Sequence, residues 1–368
     1  MSFATSITFA TSVARKQPHL HAKSPFTVPA GLLHSGRMKV LLYHLSPFGL
    51  AHGGHQIQIE RTRAALQAIG VEAEYLRWYE ETQTGEILHF FGRMPTVLLQ
   101  QAREKGMKVV MADLLAAQSA RPGWRLALQT AVVRLTQSLL PPMLSRSFGW
   151  DSYRLADACV AVTRREARLM SRIFAVPPEK VHVVPNGVED AFLNCPAAKR
   201  GSWLICVATI TEVKRVLHLA EAAVRAKTPV WFIGKPYTES DPYARRFIVY
   251  AKAHPEIVRY EGAIPEREKL AQVYREARGF VLLSAWESLS LSALEAAACE
   301  CPLLLTDLPW ARAAFGDKTS YCPLSNSPAI TAARLREFYD RAATLPSPPK
   351  PATWSEIAVQ LKRLYERL

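Results

Sequence analysis

Closely spaced cysteines and long apolar runs are both missing from this sequence. Six cysteines are present, but none forms a Cys-x-x-Cys pair. Most lie in apolar stretches, where a thiol behaves as a small hydrophobic side chain. This usage favours a reducing compartment, and no apolar run reaches the length of a membrane-spanning helix. We therefore expect a cytoplasmic protein, with the inner surface of the membrane as a further location.

Acidic residues are absent from residues 114–150, where Arg121, Arg125, Arg134 and Arg146 make the stretch purely basic. The whole chain carries a net charge of +14 and has a pI near 9.6. Such a balance suits nucleic acid, an anionic membrane or an anionic substrate. No dense run of Lys or Arg and no helix-turn-helix or zinc-finger pattern is present. The charge therefore favours an anionic substrate or membrane, and we expect no nucleic-acid partner.

Residues 1–37 also contain no acid, and they combine Arg15, Lys16 and Lys23 with many Ser and Thr. This composition resembles a transit peptide weakly. In the alternative that we favour, Met38 opens the first strand, so the upstream segment is a disordered tail or the product of a mis-assigned start. Both interpretations remain open.

From Met38 onward, short buried strands alternate with helices, which predicts parallel sheets covered on both faces. The length of 368 residues suits two domains. We place an N-terminal domain at 38–190, a C-terminal domain at 203–345 and a last helix within 352–368. Ligands are expected where the carboxyl ends of the strands face a cleft. The predicted strands are 39–43, 71–76, 87–91, 107–111, 158–162, 181–184, 203–208, 230–233 and 257–260.

Two glutamates eight positions apart, Glu287 and Glu295, mark the segment 280–307. The segment predicts a strand, a polar turn, a helix and a second strand. Within one helix, eight residues would separate the two carboxylates by about 12 Å. We therefore place Glu287 in the turn and Glu295 in the helix. Two such carboxylates suit the hydroxyl groups of a sugar and of a ribose.

The start of that helix is the second feature of this segment. Ser288 or Ser290 is the predicted N-cap. Free N–H groups near Leu289 and Leu291 would then bind a pyrophosphate. The segment as a whole predicts a nucleotide-sugar site.

Several motifs occur in a recognisable order: VHVVPNGVED (181–190), VATITEVKRV (207–216), FIGKPY (232–237) and the E-x7-E pair. Together they resemble glycosyltransferase family 4 over residues 38–368. The resemblance implies an α/β fold of the GT-B type, with two doubly wound Rossmann-like domains facing a cleft and the last helix crossing back to the first domain. It further implies a retaining, metal-independent enzyme without other cofactor. Such an enzyme moves a hexose from a nucleoside diphosphate sugar to a glycan, lipid-linked or small-molecule acceptor.

The same resemblance assigns roles on the donor side. Glu287 would act on the transferred sugar and Glu295 on the ribose. Lys214 would bind the diphosphate, and Gly234 would form a close turn. Thr209 stands where the family has an arginine, so Arg215 is our candidate for the second cation.

On the opposite side, Gly53 and Gly54 resemble the glycine loop of the family, which implies that their backbone approaches the donor closely. A plain tight turn is the alternative. His52 and His55 are candidate acceptor-binding residues, or solvated loop residues. Asp113 is our second catalytic candidate, in contact with acceptor or sugar, although Ala112 replaces a histidine before it. We assign no metal ligands, because neither an Asp-x-Asp motif nor a carboxylate spacing beside the histidines is present.

Other departures concern the backbone. Glu300 stands where the family has glycine, and we expect its φ to be negative. Asn186, in an Asn-Gly pair, is interpreted as a turn residue. The residues Thr209, Ala112 and Glu300 keep open the alternative of a GT-B protein that binds sugar nucleotides without turnover. A sugar-nucleotide epimerase on the same fold is a further alternative.

Apolar residues also recur at helical spacing in the basic stretch: Trp124, Leu128, Val132, Leu135 and Leu139. One interpretation is a helix that rests on anionic lipid. The other, which we favour, is an ordinary helix whose apolar stripe faces the core.

Overall fold

The computed structural model describes residues 38–48, 52–139 and 148–368, which belong to one compact unit. The predictions for residues 1–37 and for Arg146 concern parts of the chain outside this description. Two six-stranded sheets organise the unit, and every pair of neighbouring strands is parallel.

The first sheet has the strand order β2-β1-β3-β4-β5-β6. Strand β3 is buried along its whole length, as is β5, which explains why both are almost continuously apolar. The elements of this half are β1 (Lys39–Tyr43), α1 (Gly54–Ala68), β2 (Glu72–Tyr75), β3 (Ile87–Phe91), α2 (Thr96–Glu104), β4 (Lys108–Ala112), α3 (Ala116–Ser119), α4 (Gly123–Leu139), α5 (Ser152–Leu155), β5 (Ala158–Ala161), α6 (Arg164–Phe174) and β6 (Val181–Val183).

The second sheet has the order β12-β11-β10-β7-β8-β9, in which β7 and β10 are neighbours although two strands, β8 and β9, lie between them in the sequence. The chain therefore reverses direction across the sheet between β7 and β10. The elements of this half are α7 (Asp190–Leu193), β7 (Leu204–Val207), α8 (Val216–Arg225), β8 (Val230–Ile233), α9 (Pro242–Ala253), β9 (Val258–Tyr260), α10 (Arg267–Glu276), β10 (Gly279–Leu282), α11 (Leu291–Ala298), β11 (Leu303–Thr306), α12 (Pro309–Phe315), β12 (Ser320–Cys322), α13 (Pro328–Arg341) and α14 (Trp354–Tyr365).

The terminal helix α14 returns to the first sheet, as the predicted fold requires. A capping box between Thr353 and Glu356 starts it. Its apolar face then packs with residues of β1 and α1 in one buried cluster. Inside that cluster the Tyr365 hydroxyl lies 2.6 Å from Nδ1 of His89 on β3.

The Asn186-Gly187 pair, for which the sequence predicts a turn, lies at the point where the chain leaves the first half. Val188 forms a parallel bridge with Thr353, at the start of the last helix. A Cβ at Gly187 would lie 2.6 Å from the Trp354 nitrogen, so this approach requires glycine. The boundaries of the two domains stay predictions, but this pair and the terminal helix lie side by side.

The expectation of a negative φ at Glu300 is wrong, because φ there is 55°. Glu300 follows the last turn of α11, where its N–H donates to the Ala297 carbonyl and the Cys301 N–H donates to the Ala296 carbonyl. These two bonds form the Schellman ending of a helix, which needs a left-handed residue at this position. The Glu300 carboxylate pairs with Arg275 at 2.9 Å, a contact that glycine would lack.

The expectation that the apolar stripe of α4 faces the core is also wrong. Within α4 only Leu126 and Val133 are buried. The five apolar residues of the stripe are between 49% and 70% exposed. The periodicity therefore predicted the helix correctly but assigned its apolar face to the wrong side.

Candidate functional site

The topology of the second sheet brings two loops together at its carboxyl edge. One loop follows β7 and carries Lys214, and the other follows β10 and carries Glu287. Because β7 and β10 are adjacent strands at which the chain direction across the sheet reverses, their loops open a crevice for a ligand. The Ala285 N–H donates to the Val213 carbonyl at 2.8 Å and ties the loops to each other.

Lys214 and Glu287 form an ion pair at this point, with Lys214 Nζ donating to Glu287 Oε1. The Ser284 hydroxyl donates to the same carboxylate oxygen at 2.8 Å. Both charged side chains are largely buried, with 25% and 12% of their surfaces exposed. A cation and a carboxylate are thus held next to each other, where they can bind an anion and a hydroxyl group.

Helix α11 begins four residues after Glu287. Its N-cap is Ser290, whose hydroxyl accepts from the Ala293 N–H, so of the two predicted caps Ser290 is the one used. The N–H groups of Leu291 and Ser292 lie in the first turn, where a helix provides no carbonyl partner. The positive end of the α11 dipole is therefore directed toward the same crevice.

Residues of the first half meet this helix from the other side. A Cβ added to Gly54 would lie 3.7 Å from Leu291, and one added to Gly53 would lie 3.5 Å from Thr209. Gly53 has φ of 134°, a backbone conformation that favours glycine. The Asn186 amide donates to the Leu289 carbonyl at 3.2 Å. The predicted glycine loop and the predicted donor loops are therefore neighbours.

Gly234 ends β8 and brings a third loop to this edge. Its φ is 148°, and a Cβ would lie 1.9 Å from the Ala208 carbonyl oxygen. Three residues later the ring of Tyr237 stacks edgewise on His52, with centroids 5.1 Å apart. His52 therefore faces the second half of the chain.

His55 lies at the start of α1 and faces the first sheet instead. Its ring packs against His44 at 4.5 Å between centroids. Burial, reinforced by the neighbouring His44, lowers the pKa of His55 to about 4. The ring is therefore neutral near pH 7, and it is partly covered rather than freely solvated.

Arg215 and Thr209, both predicted to bind the donor, lie against different parts of the structure. The Arg215 backbone has φ of 53°, and its guanidinium donates to the Ser325 carbonyl in the loop after β12. This contact holds the guanidinium at that loop, whereas Lys214 holds Glu287. Thr209 faces Gly53, as noted above.

Glu295 lies in the second turn of α11 and is 6% exposed. Arg267 donates to one of its oxygens, and the Tyr274 hydroxyl donates to the other at 3.1 Å. Both partners belong to α10. The structure thus places Glu295 against α10, whereas Glu287 is paired with Lys214.

Arg267 continues this contact into a longer chain of charges. Its Nε lies 2.8 Å from Glu189 Oε1, and the other Glu189 oxygen lies 3.0 Å from Arg61 on α1. Four charged side chains of alternating sign therefore link the first half of the chain to the helix that carries Glu295. Sequence reasoning missed Arg267. A signal was available, since a cation in the first turn of a helix opposes the helix dipole and implies a specific partner.

Asp113 follows β4 in the first half. The Tyr153 hydroxyl donates to its Oδ2, and Arg93 Nε lies 3.9 Å away. Burial raises the pKa of Asp113 above its ordinary value, against the opposing effects of Tyr153 and Arg93. Asp113 is therefore held in a polar group that is shielded from water.

Glu166 is the second residue that sequence reasoning missed. The stretch from Thr163 to Glu166 has the spacing of a capping box, and the Thr163 hydroxyl does accept from the Glu166 N–H at 3.2 Å. The Glu166 carboxylate, however, accepts from the Leu115 N–H at 2.8 Å instead of closing the box.

The position of Glu166 links it to the E-x7-E turn. The side chain is fully buried, and burial raises the pKa of Glu166 to about 7, while the Ser288 hydroxyl lowers it. Ser288 belongs to the turn between Glu287 and the N-cap of α11. A buried carboxyl group from the first half therefore stands beside the donor loop of the second half.

Within residues 38–48, 52–139 and 148–368, no three His, Cys, Asp or Glu side chains are grouped as a metal site would require. In this described part of the chain, no helix is long and apolar enough to cross a membrane.

Two family models match the chain in succession. The model for Glycosyltransferase Family 4 matches residues 84–192, and the model for Glycosyl transferases group 1 matches residues 201–340. Among curated proteins, the D-inositol 3-phosphate glycosyltransferase of Jonesia denitrificans is 28% identical over 245 residues. That match covers 57% of this chain and 57% of the relative, so the chain spans little more than half the length of the curated protein that it matches.

Solved structures match a larger share of the chain. The HepE protein of Anabaena in complex with UDP and glucose has a TM-score of 0.62 at 10% identity, covering 90% of this chain and 100% of that one. Sucrose-phosphate synthase from Thermosynechococcus elongatus has a TM-score of 0.59 at 16% identity, and the match covers 90% of this chain and 99% of that one. The pneumococcal O-GlcNAc transferase GtfA in complex with UDP and GlcNAc has a TM-score of 0.55 at 14% identity, and the match covers 84% of this chain and 60% of that one. These likenesses confirm the predicted GT-B fold.

Proposed function

Because the chain belongs to the group 1, family 4 type of glycosyltransferases, we propose that it transfers a hexosyl group from a nucleoside diphosphate sugar to an acceptor hydroxyl. The acceptor is a glycan, a lipid-linked saccharide or a small molecule. The observation that carries this proposal is the Lys214–Glu287 ion pair beside the N-terminus of α11. A cation and free backbone N–H groups suit the diphosphate of such a donor, and the carboxylate beside them suits the hydroxyl groups of its sugar.

The proposed reaction breaks one bond and forms another at the same carbon. The bond between C1 of the hexose and the β-phosphate oxygen breaks, and its electron pair leaves with the nucleoside diphosphate. A bond forms between C1 and the acceptor oxygen. The proton of the acceptor hydroxyl passes to the leaving phosphate. In the proposed retaining course, the acceptor attacks from the face that the phosphate leaves, so no covalent enzyme intermediate and no metal or other cofactor is required.

Each donor-side group has a defined part in this proposal. The Lys214 ammonium offsets the charge that grows on the leaving diphosphate, in the largely water-free setting that strengthens such an interaction. The N–H groups of Leu291 and Ser292 bind the same phosphates. Binding of the diphosphate draws Lys214 away from Glu287, which leaves the carboxylate free to accept from sugar hydroxyls. The ion pair therefore keeps both groups in place until the donor binds.

The acceptor side is proposed to lie in the first half. Asp113, held by Tyr153 and Arg93, offers a carboxylate to an acceptor or sugar hydroxyl. Glu166 stands between this group and Ser288, so it joins the two sides of the site. His52 meets Tyr237 across the same region.

The identity of the donor is open to a direct test. The solved structures of HepE and GtfA contain UDP together with glucose or GlcNAc, so UDP-glucose and UDP-GlcNAc are the first donors to examine. A thermal-shift screen would compare these with GDP-, ADP- and dTDP-linked hexoses. Release of the nucleoside diphosphate, measured with and without acceptors, then reports turnover.

The variant Lys214→Met tests the observation that carries the proposal. We expect kcat/KM to fall about 100-fold, because one preorganised donor to the developing charge is lost. Lys252→Met is the matched control, since Lys252 is an exposed lysine on α9. Full activity of Lys214→Met would overturn the proposed role. Donor binding by the unmodified protein without any nucleotide release would favour the alternative, a sugar-nucleotide-binding protein that has lost turnover.

A further inference from the structure

The outer face of α4 is an exposed apolar surface that the proposed reaction does not use. Its stripe residues point outward, with Leu139 70% exposed, Trp124 65% exposed and Leu128 61% exposed. Trp124 and Leu128 also line an open groove of about 490 Å³, together with Arg121, Arg125 and others. Soluble proteins rarely leave a contiguous apolar face of this kind uncovered, so the face is adapted to an apolar partner.

The charged residues of α4 and of the chain just before it are all basic. Arg121 and Arg125 are exposed at its start, and the Arg125 guanidinium lies 5.0 Å from the Trp124 ring centroid. No acidic residue occurs in residues 114–150. Arg134 is engaged elsewhere, because it donates to the last carbonyls of α6 at Ser171 and Arg172.

The neighbouring helix α6, against which α4 packs, extends the basic character. It exposes arginines at positions i, i+4 and i+8, which helical geometry places on one face. These are Arg164, Arg168 and Arg172. An apolar helix face with a tryptophan, flanked by arginines and free of acids, has the composition of a helix that lies in a membrane interface.

We propose that α4 docks this protein on the surface of a bilayer that contains anionic phospholipid. The apolar stripe would enter the boundary between headgroups and acyl chains, and the arginines of α4 and α6 would lie at the level of the phosphates. Of the possible partners for this face, the positive charge of these arginines favours an anionic lipid surface. A second copy would bring the same arginines against each other, whereas an anionic lipid surface complements all of them.

Flotation with vesicles tests the proposal on the full chain. Vesicles of phosphatidylcholine containing about one-third phosphatidylglycerol are compared with phosphatidylcholine alone, at low and at high salt. We expect the protein to bind the anionic vesicles at low salt, with the bound fraction at least tenfold lower on the neutral vesicles. Because basic residues contribute through screened charge, binding should also weaken as salt rises.

Two pairs of variants separate the apolar and the basic contributions. Leu128→Glu with Leu135→Glu should reduce vesicle binding at least tenfold, whereas Val249→Glu, a change at a 68% exposed position on α9, should not. Arg121→Glu with Arg125→Glu should remove the preference for anionic lipid. The control for this charge change is Arg245→Glu with Arg246→Glu, also at exposed positions on α9. A thermal melt of each variant shows that it is folded.

Three results would overturn the proposal. The first is no binding of the unmodified protein to anionic vesicles at low salt. The second is equal binding by the α4 variants and their α9 controls. The third is a concentration-dependent dimer, measured by sedimentation, that the α4 variants abolish, since this would make the face an interface between copies. Vesicle binding needs no donor or turnover, so failure of the proposed enzymatic activity would leave this test unaffected.

Discussion

Arg267 binds Glu295, the second glutamate of the E-x7-E pair, through its Nη2, and its Nε lies 2.8 Å from Glu189. The sequence predicted the ribose of a donor as the partner of Glu295. The structure shows that this carboxylate already has a protein partner, Arg267. Glu295 has two oxygens and about four acceptor positions. Arg267 and Tyr274 use two of them, and a ribose diol can use the others. We propose that the contact positions the carboxylate for the ribose.

The Arg267 contact predicts a loss of stability on mutation. In Arg267→Gln, Glu295 keeps its charge but loses the guanidinium, and a carboxylate that is buried without a cation is costly. We expect the free energy of unfolding to fall by about 3 kcal/mol, measured by urea denaturation. Arg334→Gln is the control, because its pair with Glu337 is exposed on α13 and is worth at most about 1 kcal/mol. Equal effects of the two variants would contradict the assigned role.

Glu287 and Glu295 should differ in kinetics. We expect Glu287→Gln to lower kcat by about 100-fold with little change in KM, because it removes an interaction made with the transferred sugar in the transition state. Glu295→Gln should chiefly raise KM for the donor, because ribose binding is shared by ground state and transition state. Steady-state assays of nucleotide release would measure both. If the two variants were kinetically alike, the division of roles would be wrong.

Glu166 predicts a pH dependence of stability. Its pKa is raised to about 7 in the folded protein, whereas the ordinary value is 4.5. Between these values the folded state binds more protons than the unfolded state, so the stability that this carboxyl contributes is lost as pH rises from about 4.5 to about 7.

The variant Glu166→Gln removes this titration, since the amide is neutral at every pH. Relative to the unmodified protein, its unfolding free energy should therefore rise with pH by about 3 kcal/mol across that window and then become constant. Denaturant melts at several pH values would measure the difference. Parallel curves for the two proteins would show that the carboxyl does not titrate there.

Gly234 predicts a steric effect. An alanine Cβ at this position would lie 1.9 Å from the Ala208 carbonyl oxygen, so the loops after β7 and β8 would have to separate. We expect Gly234→Ala to cost more than about 3 kcal/mol and to weaken donor binding. Gly262→Ala is a matched control, because Gly262 also has positive φ but no atom within 4 Å of its added Cβ. It should cost only the backbone strain, about 1 kcal/mol.

The terminal helix provides the last prediction. Burial lowers the pKa of His89 to about 3, so the ring is neutral and shares one hydrogen bond with Tyr365. Tyr365→Phe leaves that buried nitrogen without its partner and should cost about 1–2 kcal/mol. Tyr79→Phe, at a 69% exposed residue, should cost little. A thermal or denaturant melt distinguishes the two, and equal values would exclude a contribution from this bond.

Local sequence was sufficient for most of the elements. Strands β1, β3 and β8 occupy the predicted residues. This succeeded because buried parallel strands and capped helices leave short-range patterns. Glu300 is the instructive failure. Residue type argued against positive φ there, but the hydrogen bonds that end α11 outweighed the preference of a single residue.

The sequence by itself determined the alternation of strands and helices, the spacing of the two glutamates and the order of motifs that identifies the family, since all of these are properties of neighbouring residues. Only the tertiary structure decided which partners the site residues have. Lys214 is 73 positions from Glu287, and Arg267 is 28 positions from Glu295. Strand order places these pairs together, and strand order arises from packing between distant segments. The same holds for α4, whose periodicity is local but whose outward direction depends on the rest of the fold.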